Sequence, residues 1–140
     1  MKYFYKASEM SKFAFDPKMT SSAGFKITGE HMVIGVADKR QGTGSQPHKH
    51  NVEQFNYVLK GQLRATVNGE EQLVGPGGII HIPADTIHSI VAEPGEDVVF
   101  LVVKDRFKEY ATTPVDPTKT GPRFEPGFGP GDEKVAGVKY

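Results

Sequence analysis

Cysteine is absent from the 140-residue chain. There is therefore no disulfide framework, no thiolate nucleophile and no Cys-ligated zinc or iron–sulfur site. Any metal has to be held by histidine, carboxylate or amide groups. Net charge is missing as well, because 17 Lys+Arg balance 17 Asp+Glu. The electrostatic footprint of a nucleic-acid or anionic-membrane binder is not there, and neither partner is expected. No long apolar run occurs. The N-terminal stretch MKYFYKASEMSKFAF mixes charge with aromatics where a signal peptide needs continuous apolar residues. A cytoplasmic, single-domain protein with a modest core is the expectation.

Glycine (16) and proline (10) are frequent and punctuate the chain at short intervals. Short strands between turns follow from that, so the expected class is all-β. Residues 1–30 read as an aromatic N-terminal arm. A β-rich run from Met32 to Ala37 leads into the polar loop DKRQGTGSQP, and a second run, Phe55 to Leu59, stops at Gly61. Leu63, Ala65 and Val67 then alternate with polar neighbours, the period of a half-buried strand. Asn68-Gly69 supplies a hairpin turn, since both residues tolerate positive φ. Ile79–Ile82, Ser89–Val91 and Val98–Val103 read as further strands, and no helix is expected within residues 31–103. Lys104 to Tyr110 has room for a helical turn or two. Residues 31–110 form the expected barrel, and residues 111–140 a Pro/Gly-rich extension that is either an extended wrap or a flexible tail rather than a packed strand. Phe124 and Phe128 favour the wrap.

The chemistry concentrates around SQPHKHNVEQ. Residues two apart on a strand share a face, so His48 and His50 project together. Gln54 keeps the same parity, and its carbonyl oxygen can reach the same point. His88 follows the Pro83-Ala84-Asp85-Thr86-Ile87 turn and can face the pair across a barrel. Three of the five histidines thus fall in one arrangement suited to a divalent ion. Glu53 is a rival to Gln54 only if a bulge near Val52 exchanges their faces. Asn56 continues the inward parity and is a candidate pocket donor. His81, on the strand before His88, is a candidate acid/base, with simple packing as the alternative. Lys49, Lys60 and Arg64 are candidate carboxylate clamps or, more simply, solvated strand-face charges, and Tyr57 reads as core between sheets.

These residues resemble the two motifs of the cupin superfamily. Gly42, His48, His50, Gln54 and Gly61 fall on every spacing of G-x5-H-x-H-x3-E-x6-G, with Gln for the usual Glu. Gly77, Pro83, Asp85 and His88 fall on G-x5-P-x-G-x2-H-x3-N, with Asp85 for Gly and Ala92 for Asn. The resemblance implies a cupin jelly-roll (double-stranded β-helix) barrel with one divalent transition metal ion, among Zn, Mn, Ni and Fe, at His48, His50, His88 and Gln54. It also implies a homodimer of paired barrels. The run HKHNVEQFNYVLKGQLRATVNGEE is similar to the small single-domain cupins of pectin degradation, which isomerise an unsaturated uronate. The expected function is isomerase, tautomerase or lyase chemistry on a small anionic molecule such as a sugar acid, with Asn56 and His81 assisting. An Fe(II)-dependent dioxygenase and a non-catalytic binding module are the alternatives.

Overall fold

The computed structural model describes residues 1–106 and 109–132. After a 3-10 turn at Ala7–Glu9 the described chain runs through strands only. In order they are β1 (Phe13–Ala14), β2 (Ala23–Thr28), β3 (Met32–Lys39), β4 (Thr43–Gly44), β5 (His48–His50), β6 (Gln54–Lys60), β7 (Leu63–Val67), β8 (Glu70–Val74), β9 (Ile79–Ile82), β10 (His88–Ala92), β11 (Val98–Asp105), β12 (Thr112–Pro114) and β13 (Arg123–Phe124). Every pairing is antiparallel. One sheet has the order β1-β2-β3-β11-β6-β9, and the other β12-β5-β10-β4-β13, with β7 on β10 and β8 on β7. The two sheets face each other as a jelly-roll barrel, as the cupin resemblance implied. No described helix is long and apolar enough to cross a membrane.

Alternation along each strand builds the core. Val58 and Phe100 from the first sheet meet Leu63, Ala65, Ile90 and Ala92 from the second, all nearly excluded from solvent. Burying each large side chain of this kind stabilises the fold by roughly 1.5–3 kcal/mol. Turn chemistry fixes the register between them. Asn68 and Gly69 both have positive φ, at 50° and 81°, and close the β7–β8 hairpin where they were expected. Asp85, which stands where the cupin pattern has Gly, adopts φ 58°, a region that Asp enters more readily than most side chains.

Four expectations change. The barrel sheet begins before residue 31, because β2 pairs with β3 along Ala23–Thr28. The polar loop begins two residues later than composition suggested, since β3 continues through Lys39. The C-terminal segment does contain strands: β12 lies on β5, and β13 on β4. Pro114 is tolerated there because β12 is an edge strand. The wrap is then held by the Phe128 ring, which covers Gly42 so closely that a side chain there would overlap it. An Arg64–Glu125 ion pair adds to it. Finally, Tyr57 is 41% exposed on the outer face rather than in the core. The helical turn considered for Lys104–Tyr110 is not found up to Asp105, which still belongs to β11, while Phe107 and Lys108 lie outside the described residues.

Candidate metal centre

Strand pairing brings the three histidines together. His48 on β5 is the register partner of His88 on β10, and His50 follows two residues on, on the same inward face. Ring centroids are 4.3 Å apart for His48–His88, 4.8 Å for His50–His88 and 5.9 Å for His48–His50. One ring nitrogen from each lies within 4.8 Å of the others.

Each ring is held the same way. His48 Nδ1 donates to the Gln46 carbonyl at 2.6 Å, His50 Nδ1 to Val52 at 2.8 Å and His88 Nδ1 to Thr86 at 2.8 Å. With the proton fixed on Nδ1, the Nε2 lone pair of each neutral imidazole remains as the ligating atom. This is how backbone carbonyls commonly orient metal-binding histidines. Burial keeps all three rings neutral. It pushes His50 down to about 4, with help from the Lys104 charge, and His88 down to about 3, with help from His48. His48 is lowered too, again mainly by burial.

Gln54 is buried at the start of β6 and shares the cavity with the histidines. Its Nε2 donates to Asn56 Oδ1 at 2.8 Å, which orients the carboxamide. Asn56 is 1% exposed and lines the same cavity. Glu53 has the opposite parity. It is solvent-exposed, and its Oε1 accepts from His81 Nε2 at 2.7 Å. The donor set facing the cavity, three neutral imidazoles and one amide, is borderline-soft and fits a first-row divalent ion better than Ca²⁺ or Mg²⁺.

His81 does not join the site. On β9 the inward positions are Ile80 and Ile82, so His81 faces outward and stacks on Phe55 at 4.4 Å. The candidate carboxylate clamps lie elsewhere as well. Lys49 and Lys60 are exposed, and Arg64 is taken by Glu71, Glu93 and Glu125.

Sequence reasoning missed several other cavity residues, Asp16, Thr20 and Ser22 among them. The cavity, about 350 Å³, is also lined by Lys39, Lys104 and Tyr110. Burial lowers Lys39 to about 7, and burial with the nearby Lys26 charge lowers Lys104 to about 8. The Tyr110 ring sits 5.7 Å from His50, and burial raises its phenol. The available signal was parity: Lys39 follows Gly35 and Ala37 on the inward face of β3. Assigning Lys39 to a loop hid it.

A family model for the cupin domain (Cupin_2) matches residues 36–104, the segment that carries His48, His50, Gln54 and His88. The chain belongs to the cupin superfamily. Dimethylsulfoniopropionate lyase DddW of Ruegeria pomeroyi is 31% identical over 71 residues, covering 51% of this cupin and 47% of the lyase. Quercetin 2,3-dioxygenase of Bacillus subtilis is 40% identical over 42 residues, covering 30% of this cupin and 12% of the dioxygenase. The cupin thus spans less than half the length of either curated relative. Among solved structures, the polyketide cyclase RemF from Streptomyces resistomycificus superposes with a TM-score of 0.72 at 24% identity, over 83% of this chain and 87% of that one. That likeness supports the fold.

Proposed function

We infer that this cupin is a metal-dependent enzyme acting on a small, oxygen-rich, anionic molecule by isomerisation, tautomerisation or lyase chemistry. The observation that carries the reading is the common anchoring of His48, His50 and His88 through Nδ1, which turns three buried Nε2 atoms toward one point. A divalent ion such as Zn, Mn, Ni or Fe would be held there by the three imidazoles and Gln54, and when bound it supplies Lewis-acid polarisation of a carbonyl or hydroxyl.

The protein's own groups suit an anion. A neutral Gln54 cancels none of a dication's charge, and Lys39 and Lys104 add cationic character to the same cavity. Asn56 holds the Gln54 amide in place. Tyr110, kept protonated by burial, offers a proton donor beside His50. The similarity to a lyase favours this reading, although it covers under half of that protein. The alternative, an Fe(II)-dependent dioxygenase, draws on the similarity to quercetin 2,3-dioxygenase and the same histidine-rich donor set.

The partner that fits the outer surface is a second copy of the chain. Ile34, Val103 and Phe55 form one row across β3, β11 and β6, and Val36, Leu101, Tyr57 and Ile79 form the next. Ile34, Phe55, Tyr57 and Ile79 are 40–64% exposed, a contiguous apolar face of the kind that association covers.

The enzymatic reading is tested with zinc- and iron-loaded protein in deuterated water, using a panel of small 2-hydroxy and 2-oxo acids. Proton NMR follows C–H exchange or elimination, and an oxygen electrode runs in parallel. Exchange or elimination without oxygen uptake is the expected result. Oxygen consumption by the iron form alone would transfer the assignment to the dioxygenase reading.

A further inference from the structure

Lys39 lines the histidine cavity yet is only 2% exposed. Its Nζ donates to Thr20 Oγ1 and to Ser22 Oγ, both at 2.6 Å, and both partners are neutral hydroxyls. Among the described residues Lys39 makes no ion pair, although the Asp16 carboxylate lines the same cavity. The other notable cations differ. Lys12 pairs with Asp38, Arg64 is held by three glutamates, and the Asp16 charge acts on Lys104, whereas Lys39 has beyond its two hydroxyls only the uncharged Phe100 ring at 5.9 Å. A buried ammonium without a counter-charge is costly, and fold stability gives no reason to keep one.

What surrounds Lys39 is a ready receptor for oxyanions. Thr20 and Ser22 also line the cavity, with their hydroxyl oxygens 3.2 Å apart. Each accepts from Nζ, and their mutual hydrogen bond uses one hydroxyl proton, which leaves the other to donate. Backbone hydrogen bonds from Ser21 N to Gly44 O and from Gln46 N to Met19 O set this segment beside the chain that leads into His48.

We propose that Lys39, Thr20 and Ser22 form the carboxylate-recognition site of the cavity, holding one end of the substrate while its other oxygen groups reach the three histidines. This deepens the function proposed above and rests on reading the cavity as a substrate site. The incoming carboxylate supplies the counter-charge that Lys39 lacks. The remaining hydroxyl proton supplies one further hydrogen bond with directional preference. The ligand class is therefore a small monocarboxylate carrying a second oxygen function, as in 2-hydroxy and 2-oxo acids.

The test is calorimetric titration of the full chain, both zinc-loaded and stripped with a chelator, with pyruvate and with uncharged pyruvamide. Wild type should bind pyruvate at least ten-fold more tightly than pyruvamide in both forms. Lys39→Gln should lose ten-fold or more for pyruvate with zinc content unchanged. Lys49→Gln removes the same charge from an exposed strand face and should bind as wild type does. If Lys39→Gln fails to fold, lysine-selective NMR on wild type replaces it. The Lys39 side-chain signal should then shift on adding pyruvate while that of Lys49 stays.

Equal pyruvate binding by folded Lys39→Gln, no preference over pyruvamide in the stripped protein, or an unmoved Lys39 signal would overturn the proposal. A protein that takes up no zinc but still binds pyruvate through Lys39 would defeat the metal reading and leave this one standing. Zinc uptake without any role for Lys39 would do the reverse.

Discussion

His48 and His88 are cross-strand partners, with ring centroids 4.3 Å apart and each Nδ1 bonded to the backbone carbonyl two residues before it. The strand pairing that builds the barrel also builds the ligand pair. No loop has to move to assemble it. Preorganisation of this kind lowers the entropic cost of binding a metal and makes the site part of the fold.

Gln54→Glu should tighten zinc binding by about ten-fold or more, because a carboxylate is a stronger ligand than an amide and cancels half the ion's charge. Pyruvate affinity should fall at the same time, for the same reason. Competition with a chromogenic zinc chelator, followed by calorimetry, measures both. Unchanged zinc affinity would mean that residue 54 stands outside the coordination sphere.

Acid should destabilise the metal-free protein early. His50 and His88 sit at about 4 and about 3 in the fold, against about 6.5 when unfolded. The unfolded chain therefore takes up protons that the folded one refuses as pH falls from about 6.5. Stability that is full above that value drains away through pH 4, at up to about 1.4 kcal/mol per pH unit for each histidine. Urea midpoints at pH 7.5 and pH 5 check this, and zinc should widen the difference. A flat profile over this range would contradict the buried, neutral histidines.

Lys39 shifts stability in the opposite range of pH. Its folded value is about 7 against 10.5 unfolded, so the unfolded state holds the extra proton between those limits. Stability then rises with pH across that window, and the penalty is complete below it. Lys39→Met should be more stable than wild type at pH 6, by on the order of a few kcal/mol, with the advantage fading toward pH 10. Paired urea melts at the two pH values decide it. A variant that gives up stability at pH 6 would mean the ammonium is a structural strap.

The outer face of the first sheet gives a fourth expectation. Light scattering at micromolar concentration should report a dimer for wild type. Tyr57→Glu should give a monomer, since it places a charge among Leu101, Ile79 and their neighbours on that face. A monomeric wild type would leave the apolar rows without the proposed partner.

Much of this was legible in the sequence, and the reasons are specific. Period-two alternation placed Gln54 and Asn56 inward with Val58, and the two motifs located the three histidines and the turn at Asp85. Parity also turned Gln54 inward and Glu53 outward, which is how the two side chains lie. What parity did not provide was the face that a strand presents when both sides are apolar. Phe55-Asn56-Tyr57-Val58-Leu59 is hydrophobic on its outer face too, so Tyr57 read as core. His81 failed for a related reason: its inward neighbours Ile80 and Ile82 set the parity of β9, but the strand is too short for a clear pattern. Lys39 was hidden by composition, as a charged residue beside a polar loop. The C-terminal strands were hidden by proline and glycine, whose edge-strand tolerance depends on which neighbour lies alongside.

The most direct test of the central claim is metal content by elemental mass spectrometry, on untagged wild type and His48→Ala purified in parallel and reconstituted with zinc. About one transition metal per chain in wild type, lost in the variant, is the result predicted by three Nε2 atoms gathered at one point. No metal in either protein after reconstitution would contradict it, and the histidine cluster would then be a hydrogen-bonded core of a binding module.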